Sequence, residues 1–183
     1  MIARRHPRLA TLRAALVSLV VSVLAIGVIA TPAQAYSWTG CRWPNTQIYV
    51  RNTNLSGTDA TTAGAAQTAW SNQTDVQINT SVSATFTRFV AADGATGVDG
   101  STTWTCSGGT TTAAAAHLNT TYTNGFVANK RQAIWVHELG HGLGLGHSAS
   151  LAALMYTSAA QVYNTTGAFT PQSDDVLGIN ARY

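Results

Sequence analysis

The stretch HELGHGLGLGH, residues 137–147, constrains this chain more than any other part of its sequence. In an α-helix successive side chains are separated by about 100°, so residues four apart lie one turn up on the same face. His137 and His141 therefore face the same way, and Glu138, about 100° round the helix, borders the space they face. Glycine then crowds in where the helix ought to continue. Gly144 is free to take a positive φ that other residues resist, which ends the helix and turns the chain back so that His147 reaches the point at which the first two rings aim.

Two imidazoles stacked one turn apart form a ready chelate for Zn²⁺, and a third from His147 leaves the fourth tetrahedral position to water, whose pKa falls towards 7 on the metal. Glu138 is placed to take that proton and deliver it to a leaving amine. The residues therefore predict one catalytic zinc ion held by His137, His141 and His147, with Glu138 as general base and acid. Two other readings share these residues: a zinc hydrolase acting on a non-peptide amide, such as one in a cell wall, and a non-catalytic binding module that contains a metal. Glu138 speaks against the second, because a structural site gains nothing from a base beside an open position.

Residues 1–35 read as a secretory signal peptide. Arg4, Arg5, Arg8 and Arg13 precede an uncharged apolar run over residues 14–30, and the small residues Ala33 and Ala35 suit cleavage before Tyr36. An uncleaved membrane anchor is the alternative for the same run. With the leader removed, residues 36–183 make one domain, with a secreted location and no membrane partner. That domain carries six Lys and Arg against seven Asp and Glu, a formal charge of −1. No basic cluster suggests nucleic acid as a partner. Cys41 and Cys106 both fall in the exported part, where an oxidising environment lets them close one disulfide; the alternative is that the Cys41 thiolate caps a metal.

Residues 43–51, with Ile48 and Val50 on one face and Tyr49 on the other, suit a first strand. Residues 58–70 place Ala63, Ala66 and Trp70 at helical spacing behind Thr58 or Asp59 as N-cap. One or two strands are expected over residues 76–90, a turn-rich loop over 93–100, a strand over 113–121 and a second helix over 129–142. Asp93 and Asp99 are too few carboxylates for a Ca²⁺ site, which needs six or more oxygens, so that loop is expected to be solvated and calcium is left open as a second ion.

His137, Glu138, His141, Gly144 and His147 fill the five fixed positions of HExxHxxGxxH, and the chain in this respect resembles the metzincin zinc proteases. Met155, eight residues after His147, stands where that family has its methionine turn beneath the zinc. Ser148 and the run ALMY at residues 153–156 are similar to the matrixin branch, the matrix-metalloproteinase type. So are CRWPNTQIYV (41–50), AAQTAWSN (65–72) and PQSDDVLGIN (171–180), which resemble its first strand, first helix and closing helix. The resemblance implies an α+β fold: a twisted, mostly parallel sheet with an antiparallel edge strand, about three helices, and HExxH on the active-site helix. It also implies a monomeric endopeptidase whose protein or peptide substrate lies extended in a cleft, paired as an added strand. Asp174 and Asp175 suit a helix N-terminus by charge; in matrixins the matching pair also braces the Met-turn and the mature N-terminus. Three departures stand out. Cleavage before Tyr36 leaves no room for a pro-segment with an inhibitory cysteine. His117 is too isolated for the family's second, structural zinc and is expected as a strand residue. Thr157 stands where matrixins usually have proline, in the wall of the pocket for the side chain after the scissile bond.

Overall fold

The computed structural model describes residues 34–183. Most of the expected leader, including its apolar run, lies outside the described residues. Strands β1 (Gln47–Asn52), β2 (Gln77–Thr80), β3 (Phe86–Ala91), β4 (Gly100–Ser107) and β5 (Thr110–Asn119) form one sheet in the order β2-β1-β3-β5-β4. β1 runs parallel to β2 and β3, and β3 to β5, while β4 alone is antiparallel and lies at the edge. This is the α+β arrangement expected. In β1 the alternation is as read: Ile48 and Val50 are buried, and Tyr49 is half exposed.

Helices α1 (Gly57–Gln73), α2 (Thr120–Thr123), α3 (Ala128–Gly142), α4 (Ala159–Thr166) and α5 (Ser173–Asn180) number five among the described residues, two more than expected. The additions are the short α2 and α4. Local chemistry closes α4 at both ends: the Ser158 hydroxyl accepts from Gln161 N at 3.2 Å, and Gly167, at φ 75°, donates its amide to Tyr163 O at 2.8 Å. α1 buries Ala63, Ala66 and Trp70 as the spacing predicts, and small residues there let it pack closely on α3. The Trp70 indole donates to Val136 O at 3.0 Å, a buried bond between those two helices. The N-cap of α1 is Ser56, not Thr58 or Asp59. Asp59 instead accepts from Arg131 of α3 at 2.9 Å, so its carboxylate serves the helix pair rather than the helix end.

The segment that sequence periodicity passed over is β4. Its eight residues bury no apolar stripe, because β4 is an edge strand with most side chains exposed. Gly108 and Gly109, at φ 57° and 78°, turn it directly into β5, as a two-residue hairpin with both central residues left-handed requires. That Gly-Gly pair was the available signal. At the opposite edge, Ser71 of α1 accepts from Ile78 N and Gln67 donates to Ile78 O, so side chains occupy hydrogen-bonding groups of β2 that would otherwise invite another strand.

Arg88 of β3 is 1% exposed, and neutral groups alone receive its guanidinium: Asn52 Oδ1, Ala63 O and Gln67 Oε1, at 2.7 to 3.0 Å. Burial pushes its pKa down to about 10, which leaves it charged at neutral pH. The interaction ties β1, α1 and β3 together under the centre of the sheet. No helix among the described residues is long and apolar enough to cross a membrane.

Candidate active site

α3 brings the candidate residues to the sheet. From Gln132 to Gly140 every residue is buried, so the helix enters the core with His137 and Glu138 on it. It stops at Gly142. Two residues later, Gly144 has φ 104°, and a Cβ there would run into the Cys41 carbonyl oxygen, so conformation and space both demand glycine. The returning segment is then held by the N-terminal strap. Trp38 and Leu145 form an antiparallel bridge, Thr39 N donates to Gly144 O at 2.9 Å, Gly146 N to Ser37 O at 2.8 Å, and the Ser37 hydroxyl to His147 O at 2.7 Å. His147 thus arrives at the site on a short ladder rather than on a free loop.

The three imidazoles converge. One ring nitrogen of each of His137, His141 and His147 lies within 4.8 Å of the other two. His137 Nδ1 is 2.7 Å from Leu154 O and His141 Nδ1 is 2.8 Å from Leu145 O. A carbonyl only accepts, so both Nδ1 atoms carry the proton and both Nε2 atoms present lone pairs. Those two Nε2 atoms are 3.0 Å apart. Two acceptors at that distance in a buried site repel unless a cation lies between them, and protonation is opposed: burial holds His137 down to about 3 and His141 to about 4, the neighbouring histidines adding to the effect. Neutral imidazoles oriented by backbone carbonyls are the donor set that suits zinc, so the residues fit the ion.

Glu138, 4% exposed, faces the same cleft. Burial pushes its pKa up to about 7; a hydrogen bond from Thr102 opposes that rise, and nearby Asp99 adds to it. Met155 lies under α3, against Gly140. Its segment is anchored by Asp175, whose carboxylate accepts from Leu154 N at 2.8 Å, Met155 N at 3.0 Å and Gln172 N at 2.8 Å. Leu154 in turn supplies the carbonyl that orients His137. Asp174 accepts from the Ser148 hydroxyl at 2.8 Å and from Ala35 N at 3.0 Å. Both aspartates stand in the first turn of α5 as expected, and both also reach across to other segments.

The family model for the matrixins matches residues 56–183. The chain belongs to the matrixin family. Matrixins are zinc-dependent metallopeptidases, which accords with the three-histidine cluster. A protein of Spodoptera frugiperda ascovirus 1a named as a matrix metalloproteinase is 46% identical over 48 residues, 26% of this chain and 12% of its own length. The interstitial collagenase of Equus caballus is 40% identical over 63 residues, 34% of this chain and 13% of its own. The matched part is therefore about an eighth of either relative. Among solved structures, a chain of the GM1-bound form of the ECX AB5 holotoxin superposes with a TM-score of 0.56 at 12% identity, over 75% of this chain and 80% of that one, a likeness of fold.

The cleft of this matrixin, about 430 Å³, runs between β4 and α3, with Gly100, Thr102 and Trp104 on one side and Ile134, His137, Glu138 and His141 on the other. Thr157, in the place of the usual proline, and Ala159 line the same cleft. His117 stands apart in β5, stacked on Phe89 and 2.6 Å from Asp93. Asp93 is engaged there while Asp99 lines the cleft, and the loop between them is gathered by the Asn119 amide, which donates to Gly94 O, Thr96 Oγ1 and Val98 O. Cys41 and Cys106 are bonded to each other, which removes Cys41 as a metal ligand. The functional neighbours that the sequence did not reveal are Thr102 and Gly100, because their partner Glu138 is reached only across the cleft.

Proposed function

We propose that this matrixin is a secreted zinc endopeptidase: residues 1–35 form a cleaved leader, and residues 36–183 form a single, monomeric catalytic domain with one catalytic zinc. The observation that carries the reading is the facing pair of Nε2 lone pairs on His137 and His141, with His147 beside them and Glu138 in the same cleft. His137, His141 and His147 hold the ion. Bound zinc supplies Lewis acidity to a scissile carbonyl and to the attacking water. Glu138 accepts a proton from that water and returns it to the amine nitrogen as the carbon–nitrogen bond breaks. Its raised pKa suits both halves of the transfer near neutral pH. Met155 closes the floor beneath the histidines, and the edge of β4 receives an extended protein or peptide chain as an added strand.

Elemental analysis of the purified mature protein, combined with a cleavage-site profile on a peptide library and a parallel incubation with cell-wall polymer, tests the reading. One zinc per chain, peptide cleavage and its reversible loss on chelation are expected. Release of products from the wall polymer alone transfers the site to a non-peptide amide. Bound zinc with neither activity leaves a binding module.

A further inference from the structure

Glu138 receives support from a second element besides its own helix. Thr102 Oγ1 on β4 lies 2.7 Å from Glu138 Oε2 and 2.9 Å from the Glu138 carbonyl oxygen. A hydroxyl has one proton to give, and the carboxylate is both the nearer and the stronger acceptor, so the bond runs to Oε2. Two residues earlier, on the same face of the strand, stands Gly100. A Cβ at that position would lie 3.0 Å from both Cγ and Oε1 of Glu138 and 2.8 Å from the His117 carbonyl oxygen. Among the described residues, no other protein group donates a hydrogen bond to the Glu138 carboxylate. One residue of the edge strand therefore clears the space that the carboxylate fills, and the next on that face binds it.

We propose that Thr102 is the positioning residue for the base, with Gly100 providing the room; this rests on the reading of Glu138 as the group that moves the proton. Tying Oε2 to the hydroxyl fixes the side-chain rotamer and leaves Oε1 as the atom that takes and returns the proton. A carboxylate on a long side chain otherwise samples several rotamers, and a misplacement of about 1 Å at a reacting group costs on the order of 100-fold in rate. The edge strand that receives substrate and the base that acts on it are thereby locked in one register.

The test compares Thr102→Val, Thr102→Ser, Thr102→Ala and Glu138→Gln, each as the mature zinc-loaded protein, with kcat, KM, zinc per chain and melting temperature measured for every variant. Thr102→Val and Thr102→Ala are expected to lower kcat by about 10- to 100-fold with KM and zinc content held. Thr102→Ser recovers most of that loss, because it keeps the hydroxyl. In the Glu138→Gln background the Thr102→Val change has little further effect on the residual rate, as coupled residues require. Wild-type kcat in Thr102→Val beside an inactive Glu138→Gln overturns the positioning role and leaves the base in place. Wild-type turnover in Glu138→Gln removes both. A loss that serine does not repair, or that comes with lost zinc or a raised KM, overturns the proposal in favour of packing. Should valine prevent folding, the alanine and serine variants make the same comparison.

Discussion

Gly140 lies directly against Met155. A Cβ on Gly140 would overlap the Met155 sulfur and would sit 3.2 Å from both Met155 Cε and Trp70 Cζ2, in a region where Met155 and Trp70 are fully buried. Helix propensity favours alanine over glycine by about 1 kcal/mol, whereas overpacking a closed core costs about 1 to 3 kcal/mol. The clash wins here because the sulfur has nowhere to go. Gly140→Ala is expected to destabilise the protein by up to about 2 kcal/mol in denaturant unfolding. Gly64→Ala, in α1 with nothing within 4 Å of the added carbon, is expected to stabilise it by about 0.5 to 1 kcal/mol. The same direction of change in both would refute the packing argument.

Asp175 fastens the segment beneath the histidines to α5. Its carboxylate accepts three backbone amides, from Leu154, Met155 and Gln172. Burial raises its pKa while those bonds lower it. Asp175→Ala strands two buried amides of the Met155 segment, at about 1 to 3 kcal/mol each, so a loss of about 3 kcal/mol is expected by chemical denaturation. Because Leu154 also orients His137, zinc affinity measured by competition with a chelator should fall as well. Unchanged zinc affinity would show that the His137 ring is held without this anchor.

The metal-free protein is expected to lose stability as pH falls from 6.5 to 5.5. In the window from 6.5 to 4.5 the unfolded chain protonates the imidazoles of His137 and His141, whose ordinary value is 6.5, while in the fold burial keeps them neutral down to about 3 and about 4. Glu138 acts in the opposite sense, since the fold keeps its proton up to about 7 and the unfolded chain releases it above 4.5. Asp99 and Asp175, whose values burial also raises from 3.8, oppose the histidines at the acid end of the window; in its upper part, well above 3.8, the two histidines outweigh Glu138. Unfolding there takes up protons on balance, so stability rises with pH across that upper part. Urea titrations at several pH values check this, and a stability that falls as pH rises from 5.5 to 6.5 would contradict the neutral state assigned to the buried pair.

Removing the disulfide with Cys41→Ser and Cys106→Ser together releases a loop of 65 residues. On the chain-entropy account this costs about 4 kcal/mol. The bond joins the strap that holds the His147 segment to the end of β4. A lower unfolding midpoint with a steeper denaturant slope, because the uncrosslinked denatured chain is more expanded, is the expected signature.

Much of the site was legible locally. The spacing of His137 and His141 is a property of one helix, and Gly144 marks its end by a backbone angle, so three of the groups that now converge could be read from eleven consecutive residues. The strand and helix over residues 43–51 and 58–70 were equally readable, because each has one buried face and therefore a period. β4 has no such face, and a threonine-rich edge strand lacks the alternation on which a reading depends. α4 was missed because it is only eight residues long and its signal lies in its caps.

By itself, the sequence determined which residues a metal would find and the helical spacing that sets two of them on one face, because those are constraints between neighbours along the chain. Tertiary structure alone decided that Leu154 and Leu145 set the tautomers, that Ser37 and Thr39 hold the His147 segment and that Thr102 meets Glu138. Apart from Leu145, which lies only four residues beyond His141, each of these joins segments far apart in the chain. A hydrogen bond between such groups leaves no period in the sequence, and its partners are known only once the sheet and the helices have packed.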